Sequence, residues 1–259
     1  MQQGTHKSHY IELLQKTSIS CGIFVSLFLV LMVVEYLFPN LKGVLLRWED
    51  LDFIVAIPAS IVGVAYVMTI ANPNNYIGFY AGILMALLLS LQFYLIGSFD
   101  LVLLYLFVFI PFFVLSIKNW KRVQDASEDN PPAFMSVQKI LLVIAIFILL
   151  IVVDYLLTTF ILTENNRGIL WADWPVKLSS AIMIGSSFFA NLLLIWKKNE
   201  TWIFWIIYNL SGIIFNIIVN NTFSIVLFVI FLIINLNAQI TWFKNTKLED
   251  RGWTSLLKV

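Results

Sequence analysis

Six residues in the last quarter of the chain share a spacing that could hold a small polar molecule: Trp202, Trp205, Asn209, Gly212, Asn216 and Asn220. At 100° per residue they fall within a wedge of about 80° on a helix. The remaining faces of that helix are mainly Ile, Phe, Leu and Val. A carboxamide both donates and accepts hydrogen bonds, and two indoles offer flat surfaces against which a planar ring stacks. Asn209 lies ~10 Å from the start of the apolar run at 1.5 Å per residue, near the middle of a bilayer. Such a stripe suits an uncharged heteroaromatic or sugar-bearing solute. Two plainer roles compete with it. Asparagines in apolar helices also join neighbouring helices, and a tryptophan at a helix end is a common interfacial residue. Three amides on the same face as two indoles favour a lined cavity, because orphaned amides are costly at that depth.

Neighbouring runs add further polar groups. The last one holds Asn235, Asn237, Gln239 and Trp242, with Asn235, Gln239 and Trp242 on one face. The run before the stripe carries Ser179, Ser180, Ser186, Ser187 and Ala190, a small-residue surface suited to close packing, and Asn191 is its exception. The candidate substrate-binding set is therefore Trp202, Trp205, Asn209, Asn216, Asn191, Asn237 and Gln239. Pro58 and Pro111 each free a backbone carbonyl, which permits either a tolerated kink or a hinge. Glu35 and Asp154 sit toward the ends of apolar runs. Asp154 is either a proton or coupling-ion site or the partner of Arg167 or Lys177.

Other chemistry is absent. No H-E-x-x-H, Walker or G-x-S-x-G motif occurs, so neither an enzyme nor ATP hydrolysis is expected. Cys21 is alone, and His6 and His9 lie in a polar leader, so no metal or other cofactor is expected.

The elements that must carry these residues are membrane spans. Of 259 residues, 60% are hydrophobic and 12% charged, about half the charge of a soluble domain, and mean hydropathy is +0.90. Eight runs are long enough to cross a bilayer: 19–38, 51–70, 76–96, 101–117, 139–162, 177–196, 202–220 and 223–243. The first is longer than a signal-peptide core and reads as a retained helix. With both termini inside, the inner segments hold twelve Lys and Arg residues (Lys7, Lys16, Lys118, Lys121, Arg122, Lys139, Lys197, Lys198, Lys244, Lys247, Arg251, Lys258). The outer loops hold four (Lys42, Arg47, Arg167, Lys177). That imbalance assigns both termini to the cytoplasm. The net charge of +1 gives no reason to expect nucleic acid as a partner.

Tight loops join the second to fourth runs and again the sixth to eighth, with one run between the triplets. This is a parallel-repeat layout. The organisation is a tail, extra helix and outer loop over 1–50, a first three-helix repeat over 51–120 and a linker helix with its preceding loop over 121–170. A second repeat over 171–243 and a cytoplasmic tail over 244–259 complete it. The fold class is an all-α integral membrane protein of eight transmembrane helices, an extra N-terminal helix plus a 3+1+3 core.

The run from Asn199 to Asn209 resembles the W-x-x-W-x-x-x-N signature of PnuC-type nicotinamide riboside transporters, and Asn237 and Trp242 fall where that family has Asn and Trp in its last helix. Asn75-Tyr76-Ile77-Gly78 resembles the N-Y-x-x-G that opens an early helix there. The resemblance covers roughly residues 51–243. It implies a SWEET-like fold, a homotrimer in the cell membrane, and facilitated diffusion of a vitamin or nucleoside precursor trapped inside by phosphorylation. It also implies that Trp202, Trp205 and Asn209 line the substrate site. Ala81, Tyr105 and Phe112 stand where the first repeat of the family has amides, and Asp173 is out of register with its acidic residue. Half of the polar pocket is thus expected to be apolar or aromatic, and thiamine, riboflavin or a deoxynucleoside are alternative cargoes.

Overall fold

Apolar runs of this length have one stable solution away from water, a helix that satisfies its own backbone. The computed structural model describes residues 2–38, 50–73, 75–95, 99–125, 131–160, 174–218 and 222–246. Its helices are α1 (Gln2–Leu37), α2 (Leu51–Ile70), α3 (Gly78–Leu95), α5 (Val137–Phe160), α6 (Trp174–Ile195), α7 (Thr201–Ile218) and α8 (Thr222–Asn245). Between α3 and α5, α4 runs as Phe99–Leu104, a π-helical stretch Tyr105–Phe109, and Ile110–Asp125. Eight of the described helical stretches are long and apolar enough to cross a membrane, and the chain is a multi-pass membrane protein.

Two differences from the sequence reading have simple causes. α1 starts at Gln2 rather than near residue 19, because hydropathy marks where a helix enters lipid and not where it begins. α4 persists to Asp125, so the polar residues Lys118 to Gln124 extend a helix instead of forming a loop. The π stretch ends two residues before Pro111, and the Ile110 N–H donates to the Tyr105 carbonyl, five residues back. Proline cannot donate to the carbonyl of Phe107, and the wider turn absorbs that break.

The chain forms two compact units, 1–130 and 131–259. In the first, α2 and α3 form an antiparallel pair joined by the short connection 71–77. Ile77 N–H donates to Asn75 Oδ1 at 3.0 Å and Asn75 Nδ2 donates to Glu12 Oε2 of α1 at 3.0 Å. The interior is aromatic. Tyr66 meets Phe113 at 5.2 Å, Phe79 meets Trp120 edge-on at 4.9 Å, and Phe93 stacks on Tyr105 at 5.5 Å. In the second unit, α5 packs on α6, where a Cβ on Gly185 would sit 3.1 Å from the Phe147 ring. The helix read as a linker therefore belongs to the second compact unit.

Candidate functional site

The end of α6 places the start of α7. Lys198 N–H donates to the Leu193 carbonyl and Lys197 N–H to the Leu194 carbonyl, both at 3.1 Å, with Lys197 at φ 50°. This is a Schellman stop, usually made with glycine at the left-handed position. The chain then re-enters a helix at once, with the Glu200 carbonyl accepting from Ile203 and Phe204 and the Thr201 hydroxyl donating to the Ala190 carbonyl. The reversal sets α7 against α6 with Trp202 fully buried.

The stripe on α7 faces inward: Trp202, Trp205, Asn209, Gly212 and Asn216 are all buried, while Ile203, Leu210, Ile214 and Ile217 on other faces are exposed. Asn220 lies outside the described residues. On α6, Asn191 is buried with Ser179, Ser186, Ser187 and Ala190. On α8, Asn235, Ala238 and Trp242 are buried and Gln239 is half-buried. Asn237 is exposed, because it sits about 200° around α8 from Asn235. Asn235, which shares a face with Gln239 and Trp242, is the amide that α8 turns inward.

The amides share one geometry. Asn191 Nδ2 donates to the Ser187 carbonyl at 2.8 Å, Asn209 Nδ2 to Trp205 at 2.8 Å and Asn216 Nδ2 to Gly212 at 2.7 Å, each one helical turn back. Only the NH2 end of an amide can face a carbonyl, so the oxygen must point away from its own helix. Asn191 Oδ1 and Asn209 Oδ1 are buried without a donor, as are Asn235 Oδ1 and Gln239 Oε1. The indole nitrogens of Trp202 and Trp205 are buried without an acceptor. A buried polar atom left unmatched costs about 1–3 kcal/mol, and native proteins keep few. Here four acceptors and two donors lie on α6, α7 and α8. That is the complement of a molecule carrying both hydroxyl or amide donors and a carbonyl acceptor.

Aromatic rings frame this set. Trp202 meets Trp242 edge-on at 5.4 Å, and Trp205 meets Tyr208 at 5.4 Å. Gly212 lets α7 and α8 approach, since a Cβ there would lie 2.3 Å from the Phe228 ring. An open apolar groove of about 420 Å³ along α8, lined by Gln239, Ile240, Phe243 and Lys244, shares only Gln239 with the polar set. The unmatched hydrogen-bonding groups, not that groove, mark the site. Asp154 and Glu35 are half-exposed and each has a partner within the fold, while Arg167 lies outside the described residues. No group of three or more metal-ligating side chains occurs among the described residues.

A helical membrane unit with a polar interior edge is compatible with a small-solute carrier. Comparisons with known proteins bear on which kind. The profile of the family described as Nicotinamide mononucleotide transporter matches residues 53–244, and the chain belongs to that family. Its fold is similar to the crystal structure of the Vitamin B3 transporter PnuC, at 17% identity and a TM-score of 0.52, covering 91% of this chain and 90% of that one. No curated protein matches by sequence. The chain is thus a membrane transporter, and the family and fold are those of transporters.

Proposed function

We propose that the protein carries nicotinamide riboside, or a vitamin or nucleoside precursor of the same build, by facilitated diffusion through the α6–α8 unit. The observation that carries this reading is the set of six unmatched atoms, four oxygen acceptors and two indole donors, none of them on a charged side chain. Ribose hydroxyls and a carboxamide NH2 supply donors for the amide oxygens, and the carboxamide oxygen accepts from an indole. A pyridinium ring gains from an indole face through cation–π attraction. A phosphate brings only acceptors and charge to a site already rich in acceptors, so the free nucleoside is favoured over its 5′-phosphate. Phosphorylation on the inner side then traps the cargo.

Trp202, Trp205, Asn209, Asn191, Asn235 and Gln239 are the residues we assign to the cargo, with Asn216 about two turns beyond Asn209. Asn237 points elsewhere and would act only by packing or against another copy of the chain, such as the trimer that the family resemblance implies. The twelve-to-four placement of Lys and Arg supports cytoplasmic termini. The test is counterflow in proteoliposomes loaded with unlabelled cargo. Labelled nicotinamide riboside is expected to accumulate transiently without a pH gradient, and nicotinamide mononucleotide is expected to be much slower. Equal or faster counterflow of the phosphorylated form would reverse the assignment. Accumulation that collapses with the proton gradient would instead favour coupling through Asp154. A membrane scaffold, the remaining alternative, would show no counterflow of either.

A further inference from the structure

At the entrance to α7 lie two more buried polar atoms, which the cargo does not use. The strap Pro131–Ser136, leading into α5, runs beside the loop 196–200. Ala133 N–H donates to the Lys197 carbonyl at 3.1 Å, and Asn199 N–H to the Ala133 carbonyl at 3.0 Å. Met135 N–H donates to Glu200 Oε1 at 2.9 Å, and Phe134 meets Phe243 of α8 edge-on at 5.9 Å. Asn199 Nδ2 donates to Thr246 Oγ1 at 2.7 Å, and Thr246 in turn donates to the Trp242 carbonyl at 2.9 Å. The clip thus joins the strap, the start of α7 and the end of α8, around the turn that begins with Trp202.

Yet Glu200 Oε2 and Asn199 Oδ1 are both buried and have no donor. Two buried acceptors on neighbouring residues thus stand without a donor. A proton on Oε2 turns the carboxyl into a donor and removes a charge that burial penalises. The turn itself does not require this deficit. In the first unit the corresponding Asn75 uses both ends of its amide, on Glu12 and on the Ile77 N–H.

We propose that Glu200 is a proton-binding site that latches the strap Pro131–Ser136 onto the end of the unit holding the Trp202–Trp242 pair, and that carriage requires the latch to lift. Burial pushes the Glu200 carboxyl above its ordinary value of 4.5, against the opposing pull of the Met135 N–H, of its own backbone N–H and of Lys198. A clipped state with a raised value binds the proton more tightly than an open one. Acid therefore favours the clip, and its grip weakens as pH rises above the ordinary carboxylate range. Besides Glu200, the elements that meet here carry Lys197 and Lys198 on the loop, Lys244 on α8, and Lys139 on α5 with Asp154 about four turns further along that helix, and the strap brings none. Burial lowers Lys197 to about 8, which leaves the mildly acidic window to Glu200.

The test is amide hydrogen exchange of the peptide covering residues 131–136, corrected for intrinsic rate, between about pH 5 and 7. It needs no cargo, so its failure is distinct from a failure of the cargo assignment. Protection in the wild type is expected to fall on the order of tenfold across that window. Glu200→Gln, which keeps an acceptor for Met135 and supplies the missing donor, should hold the acid-like protection throughout. Glu200→Ala should lose protection at every pH. A flat wild-type profile, or a glutamine variant that loses protection in parallel with it, overturns the proposal, and the wild-type profile decides if the variants do not fold. Counterflow of nicotinamide riboside should be slowest in acid for the wild type and slow at every pH for Glu200→Gln. Identical pH profiles for the two proteins would remove the latch from carriage.

Discussion

The α2–α4 and α6–α8 segments repeat a backbone plan but not its chemistry. Each begins its middle helix just after a buried asparagine, and each packs an aromatic ring near that start edge-on against a tryptophan of its third helix, Phe79 on Trp120 and Trp202 on Trp242. Beyond that the two diverge. The first unit closes on itself with Tyr66, Phe79, Phe113 and Tyr105, and leaves only Tyr66 Oη and Ser116 Oγ unmatched among its described residues. The second leaves eight unmatched atoms on α6–α8 and the loop between α6 and α7. Both interior prolines, Pro58 and Pro111, and the π-helical stretch belong to the first unit. The unmatched polar groups thus concentrate in the second unit, and the proline-bearing helices lie in the first.

The largest effect that could break this comparison comes from an unmatched atom in each half. Asn209→Leu is expected to weaken nicotinamide riboside binding by on the order of 10–100-fold, the worth of about 1–3 kcal/mol for a lost buried hydrogen bond. Without cargo the same change should raise the thermal midpoint, because an orphaned oxygen is replaced by a packed methyl. Tyr66→Phe in the first unit should also stabilise the free protein, yet leave affinity unaltered. Calorimetric titration alongside thermal unfolding separates the two. Equal losses of affinity would mean that the halves share the binding task.

Close helix approach offers a second contrast. Gly212 admits the Phe228 ring so closely that Gly212→Ala must displace it, whereas a Cβ on Gly82 would meet Tyr66 at 3.1 Å. Gly212→Ala should cost about 1–3 kcal/mol by overpacking and should be partly rescued by Phe228→Ala. Gly82→Ala should cost less. Without rescue in the double variant, Gly212 would matter for something other than ring clearance.

The parts of this molecule written in periodicity were legible in advance. Eight spans follow from length and hydropathy, and the inward stripe on α7 follows from 100° spacing, because an amide amid Ile and Phe has few places to go. Asn235 and Gln239 were grouped by the same angle, and the exposed Asn237 shows where family resemblance and helix geometry part. Pro111 announced a distortion but not that it would be a π turn. The strap is nearly silent in the sequence. Ala133 and Asn199 are 66 residues apart in sequence, and a backbone pairing across that distance leaves no periodic trace. The acid beside Lys197 and Lys198 was its one visible sign.

The smallest effect concerns the loop that starts α7. Lys197 adopts a left-handed φ of 50° and is buried, a position where glycine carries no steric penalty and any side chain does. Comparing Lys197→Gly with Lys197→Ala cancels the loss of the lysine stem and its contacts, since both variants remove them. What remains is the backbone term and one methyl group. The glycine variant should be more stable by about 1 kcal/mol, read from the thermal midpoint in detergent. Among the described residues of the α2–α3 connection no non-glycine residue has a positive φ. Equal midpoints would mean that the turn relaxes to another conformation once its lysine is gone.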